Sequence, residues 1–298
     1  MLARLLVLAA IGFPLGSAAA SPPLGLPADF RLEATGPDGG TVWTGRIPNY
    51  FVSDPRLSDV YLPPGYNPGE RYPVLYLLHG FWGSPGSLVH GLHFADAADE
   101  QITSGAASPF IAVMAPGGPM TKTTNDEWAG VWENYVVDDV VPWVDEHLPT
   151  DPARRAIGGL SAGGFGAVDI GLRHLGMFGT LESWGGYFQP FRDGPFAHAT
   201  AEQLDAHDPA WLVSREATRI RHDHVRIFIS TGESGHGPVK ARWTFQFGSE
   251  LAAFHIPHEL WILHVRKNGH LWPSSCRRRS TTPFPARRSP RGSGRVRS

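Results

Sequence analysis

Cysteine is almost absent. The chain has one, Cys276, in 298 residues, so no internal disulfide forms and the core alone must hold the fold. Charge is also sparse: 18% of residues are charged against 42% hydrophobic, which argues against a disordered chain. No stretch beyond the N-terminus is long and apolar enough to cross a membrane. There are no internal repeats and no clear domain boundary. None of the 14 histidines, the pairs His222/His224 and His255/His258 included, falls into a metal-ligand spacing. Nothing in the body of the chain forms a basic nucleic-acid surface.

Aromatic residues are plentiful, with ten tryptophans and sixteen phenylalanines. Both buried rings and an apolar cleft are expected. The N-terminus reads MLARLLVLAAIGFPLGSAAAS. An arginine precedes an apolar run from Leu5 to about Leu15, and the small residues Ser17-Ala18-Ala19-Ala20 follow. This is the pattern of a secretory signal peptide cleaved near Ala19 or Ala20, so residues 1–20 are expected to direct export. A membrane anchor would need a run of roughly 20 apolar residues.

The net charge of −2 hides an asymmetry. Eight of the 26 basic residues are arginines in 277–298, leaving 18 basic against 28 acidic residues, a net of −10. The body, residues 21–275, is acidic. The tail, residues 276–298, is Arg-rich, has almost no apolar periodicity, and is expected to be disordered. The abrupt change after Trp272 is what a shifted reading frame would produce, and resequencing the gene tests that. A genuine tail of this kind suits contact with an anionic cell envelope.

Along the body, extended and helical patterns alternate. Residues 21–40 are rich in Pro and Gly and read as an irregular lead-in. GTVWTGRIPN (40–49) and LSDVYLPPGY (57–66) read as strands. YPVLYLLHG (72–80) and PFIAVMAPGG (109–118) are continuous apolar runs, as in strands covered on both faces. WENYVVDDVVPWVDEHLPT (132–150) has helical periodicity, with Pro142 placed to kink it. RRAIGGLS (154–161) is a short strand running into a helix over 162–176. VRIFISTG (225–232) and HELWILHV (258–265) are strands flanking a helix over 239–254. This order implies an α/β fold with a mostly parallel central sheet and helices on both faces.

The strand-to-helix junction carries Gly159-Leu160-Ser161-Ala162-Gly163, a G-x-S-x-G pattern. In glycine-rich loops the pattern arises by chance. Between a strand and a helix it is the context of a nucleophile elbow, with Ser161 as nucleophile. Small flanking residues avoid collision with the neighbouring strand and helix, and the helix N-terminus favours an oxyanion. A serine hydroxyl needs a base, and in this fold the order is Ser, acid, His. His270, in the loop after the last strand, is the preferred base over His264 in the strand itself. Glu233, directly after VRIFISTG, is the preferred acid; Glu250 and Asp223 are the alternatives. Two N–H donors complete the oxyanion hole: Ala162 after the nucleophile, and Phe81 in the loop HGFWGS (79–84).

LYLLHGFWGS, WENYVVDDVVPWVDEHLPT, GGLSAGGFGAVDIGLRHLGMFGTLESWGGYF and GHLW together resemble the esterase D family of α/β-hydrolases, over roughly residues 42 to 272. That family includes secreted esterases and the antigen 85 mycolyltransferases. The resemblance implies an α/β-hydrolase fold and cofactor-free acyl-ester chemistry on a small-molecule or lipid ester. It carries the nucleophile onto Ser161, the base onto His270 and the oxyanion donors onto Phe81 and Ala162. Many members place an aspartate where this chain has Gly235, and the mycolyltransferases use a glutamate nearer Glu250. Members also continue past the histidine with an amphipathic helix that this chain lacks. The expectation is therefore a secreted serine esterase. Acyl transfer to a sugar hydroxyl is the alternative within the same chemistry, and a non-catalytic binding protein is the alternative outside it.

Overall fold

A computed structural model describes residues 20–52, 56–118, 128–232, 241–263 and 284–285. Nine strands form one sheet in the order β1-β2-β3-β5-β4-β6-β7-β8-β9. They are β1 (Arg31–Thr35), β2 (Thr41–Gly45), β3 (Ser58–Leu62), β4 (Tyr72–Leu78), β5 (Ile111–Ala115), β6 (Thr150–Leu160), β7 (Thr180–Trp184), β8 (Arg226–Gly232) and β9 (His258–Leu263). Pairings from β1 to β2, β3 and β5 are antiparallel, and β5, β4, β6, β7, β8 and β9 run parallel. The expected mostly parallel sheet is present.

Strand β4 shows why an unbroken apolar run belongs at the centre. All seven of its residues are buried. Val74, Tyr76 and Leu78 enter one core cluster, while Leu75 and Leu77 enter another on the opposite face. On the larger side lie α2 (Val131–Asn134), α3 (Val141–His147), α4 (Ala162–Arg173), α6 (Pro209–His222) and α7 (Ala241–Ala253). On the other lies α1 (Phe94–Thr103). The short α5 (Ala201–Asp205) is closed by a Thr200–Gln203 capping box.

The structure amends several expectations. The lead-in contains an edge strand, β1, whose side chains are mostly exposed and so leave no apolar signature. The helix expected at 132–150 is broken into α2, a π-helical stretch at Tyr135–Val140, and α3 with Pro142 in its first turn. The wider π turns shift the hydrogen-bond register just before the proline, where the missing N–H would otherwise leave a carbonyl unpaired. In the tail expected to be disordered, Phe284 is buried against Phe110, with ring centroids 5.8 Å apart. Its carbonyl accepts from Ser108 N–H at 2.9 Å, and Pro285 bridges Ala107.

Candidate active site

Strand β6 ends at Leu160 and α4 begins at Ala162, so Ser161 alone makes the turn. Its backbone sits at φ 56°, ψ −114°. That conformation costs a non-glycine residue on the order of 1–3 kcal/mol and persists only where surroundings enforce it. Three main-chain hydrogen bonds do so. Ser161 N–H donates to the Trp184 carbonyl at 2.9 Å, and the Ser161 carbonyl accepts from Gly164 and Phe165 N–H at 2.9 and 3.1 Å. A Cβ on Gly163 would collide with the Leu78 carbonyl, and one on Gly159 would strike the Gly163 main chain. Both obstacles are backbone and cannot swing aside.

Beside this turn, β4 runs out into His79-Gly80-Phe81-Trp82. A Cβ built on Gly80 would lie 3.3 Å from the Ser161 Cβ, which brings this peptide against the serine. The Gly80 carbonyl accepts from Gly83 N–H at 2.9 Å, and His79 Nδ1 also lies 2.9 Å from it. Gly117 N–H donates to His79 Nε2 at 2.9 Å. Nε2 therefore carries no proton, and Nδ1–H is the donor to Gly80. Two donors thus hold the Gly80 oxygen on one side. In a trans peptide the Phe81 N–H then points the opposite way.

His79 is itself locked. Trp128 Nε1 donates to its carbonyl at 3.0 Å and stands edge-on to its ring at 5.0 Å. Burial lowers the imidazole to about 4; the Gly80 bond opposes this and the Arg56 charge adds to it. The ring is neutral over the range in which a histidine base works. Among the described residues, neither the Phe81 nor the Ala162 amide donates to a protein acceptor. The Ala162 amide also opens α4, where the helix dipole favours negative charge.

Glu233, His264 and His270 lie outside the described residues. The strands that precede them in the sequence, β8 and β9, run parallel to β6. Glu250 is on α7, where its Oε1 accepts from Gln246 Nε2 at 3.1 Å. Asp223 ends α6 and pairs with Arg219 and His222, a helix-terminal role. His224 and His255 occupy positive-φ positions at turns. The sequence pattern offers no sign of His79 and Trp128; only the HG dipeptide after an apolar strand hints at the first. Among the described residues no acidic, histidine or cysteine group is arranged to hold a metal ion.

The Esterase family model matches residues 53–257, and the chain belongs to that family. An endo-1,4-beta-xylanase/feruloyl esterase of Xylanibacter ruminicola is 38% identical over 143 residues, 42% of this chain and 18% of that protein. An esterase of Mycobacterium tuberculosis is 28% identical over 249 residues, 72% of this chain and 52% of that protein. The chain thus spans about half, or less, of these relatives. Among solved structures, a ferulic acid esterase superposes with a TM-score of 0.66 at 23% identity, over 76% of this chain and 90% of that one. The S-formylglutathione hydrolase of Agrobacterium tumefaciens gives 0.59 at 18%, over 76% and 87%. The fold is that of the α/β-hydrolase esterases.

Proposed function

We propose that the protein is an exported serine esterase that hydrolyses carboxylic esters through an acyl-enzyme. Ser161 attacks the ester carbonyl. His270 takes the serine proton and returns it to the leaving alcohol, and a carboxylate, Glu233 in first place, supports the imidazolium. The Phe81 and Ala162 amides receive the oxyanion, and water then releases the acid. The observation that carries this reading is the strained backbone of Ser161, held beside a Gly80–Phe81 peptide whose carbonyl is pinned away. Strain of this kind is retained where it serves a function. Family membership supports the ester chemistry.

The test is hydrolysis of p-nitrophenyl esters by the chain without residues 1–20, with Ser161→Ala and His270→Ala as controls. Turnover abolished in both variants is the expected result. A folded wild type that neither turns over esters nor reacts with a fluorophosphonate overturns the reading. Export is tested separately, by N-terminal sequencing of the protein recovered from the medium. A mature N-terminus near Ser21 is expected, and retention of residues 1–20 refutes it.

A further inference from the structure

Gly117 has both of its main-chain groups engaged close to the serine turn. It lies just past β5, at the end of the sheet where the parallel β4 runs out into His79. Its N–H donates to His79 Nε2 at 2.9 Å, and its carbonyl accepts from Arg56 Nη1 at 3.1 Å. The sheet explains the second bond. β3 runs antiparallel to β5 with Asp59 opposite Met114, and the same register carried three residues further sets Arg56 opposite Gly117. A Cβ on Gly117 would lie 2.9 Å from the Trp128 ring and 3.1 Å from His79 Nε2, so only glycine allows this approach. The Arg56 guanidinium also stands 6.0 Å from the centroid of the Trp132 ring in α2.

Three hydrogen bonds therefore run in a chain from Arg56 through Gly117 and His79 to the Gly80 carbonyl. Each link sets the next. Arg56 holds the Gly117 carbonyl and so steadies the residue whose N–H faces the ring. That N–H keeps the proton off Nε2 and on Nδ1. Nδ1–H holds the Gly80 oxygen, and the Phe81 amide faces the other way. Burial is the main reason the ring stays neutral, and the Arg56 charge adds to it. The other groups against the ring, Trp128 and the Gly117 main chain, carry no charge. An imidazolium would set two donors, Nε2–H and the Gly117 N–H, against each other and break the chain.

The geometry points to Arg56 as a positioning residue for the oxyanion hole, acting through Gly117 and His79 on the Phe81 amide. The inference rests on Ser161 being the nucleophile and the Phe81 amide its oxyanion donor. Arginine suits the place: its charge is permanent, and its flat fork donates to a carbonyl while its face meets an indole. Without it the Gly117 peptide is free to turn, and His79 can take the other tautomer. A bare Nδ1 would then oppose the Gly80 oxygen, and the Phe81 amide would lose its aim. That loss is felt where negative charge develops, in the transition state.

The experiment takes two readouts on the full mature chain. Nitrogen NMR of histidine-labelled protein reads the His79 tautomer, its signal identified by loss in His79→Asn. Wild type should show a neutral ring with the proton on Nδ1; a proton on Nε2 overturns the proposal whether or not any Arg56 variant folds. In Arg56→Met the second tautomer should appear, and in Arg56→Lys, which keeps a donor and the charge, the first should persist. For p-nitrophenyl acetate, Arg56→Met should lower kcat about tenfold or more with KM within about twofold, and Arg56→Lys should recover most of that loss. An unchanged kcat in Arg56→Met, a loss carried by KM instead, or a lost kcat with the wild-type tautomer intact each overturns the proposal. Ser161-dependent turnover in the wild type separates the two failures: without it the esterase reading falls, and with it any of these results falls on Arg56 alone.

Discussion

Glu182 puts a carboxyl in the middle of β7, 3% exposed, between Gly158 of β6 and Phe228 of β8. Burial pushes it up from 4.5 to about 7, while the Trp184 Nε1 hydrogen bond and the Arg226 charge pull the other way and Glu259 adds a little. At 1.36 kcal/mol per pH unit, that rise corresponds to about 3 kcal/mol. The sign follows from which state ionises first. Below pH 4.5 the group is protonated in both folded and unfolded chains and contributes nothing. Between 4.5 and 7 the unfolded chain releases its proton more readily, so folding is progressively penalised. Above about 7 the whole penalty is present.

Glu182→Gln keeps the acceptor for Trp184 and removes the titration. Its stability relative to wild type should therefore be near parity at pH 4 and about 3 kcal/mol greater at pH 8. Urea unfolding of both proteins at half-unit steps of pH reads this directly, and because only the difference is used, every other titrating group cancels. The reasoning fails if the difference is flat across the range. Arg226 would then be neutralising the carboxylate fully, and the buried strand would hold an ionised glutamate at no cost. The result bears on the site, because β7 ends at Trp184, whose carbonyl holds the Ser161 amide.

His79 titrates with the opposite sense. Its folded value of about 4 against 6.5 means that about 3 kcal/mol of stability, present above pH 6.5, is lost as the pH falls to 4. His79→Asn should lose correspondingly less stability on acidification in the same melts. At pH 8, His79→Ala should lower kcat by about 10- to 1,000-fold with a smaller change in KM, since a displaced oxyanion donor is felt in the transition state. Equal effects on KM would show that the ring orders substrate binding instead. Gly163→Ala should abolish labelling of Ser161 by fluorophosphonate, because the Leu78 carbonyl blocks the added methyl; normal labelling would show that the turn can relax. Phe284→Ala should cost about 2–4 kcal/mol in chemical denaturation, as expected for a large ring removed from a partly closed site. No loss would mean that the contact with Phe110 contributes nothing to the folded state.

Central strands and the serine turn were legible because each carries its cause within a few residues. β4 and β5 need unbroken apolar runs, since both faces are covered. The turn at Ser161 needs glycine at 159 and 163, since backbone from Leu78 and from the turn itself fills the space a side chain would take. β1 and α6 were not. β1 is mostly exposed, so no alternation marks it. α6 starts with Asp208 capping and Pro209 in its first turn, a local cue that is plain only once its buried stripe of Leu212, Val213, Ala217 and Ile220 is seen.

The loop after β4 marks the limit of local reading. Phe81 and Ala162 are proposed as oxyanion donors from motif positions alone, because backbone amides serve whatever side chain is attached. What aims the Phe81 amide is His79. His79 is fixed by Gly117, 38 residues away, and by Trp128, 49 residues away. No spacing within one segment encodes a bond between three. The strained turn is thus written locally in this chain, and the orientation of the Phe81 amide beside it is written in tertiary contacts. A substitution at His79 should therefore change rate while leaving the G-x-S-x-G turn intact. A crystal structure of that variant checks this: Ser161 should keep its φ near 56°, and a relaxed Ser161 would show that the turn depends on the His79 contacts after all.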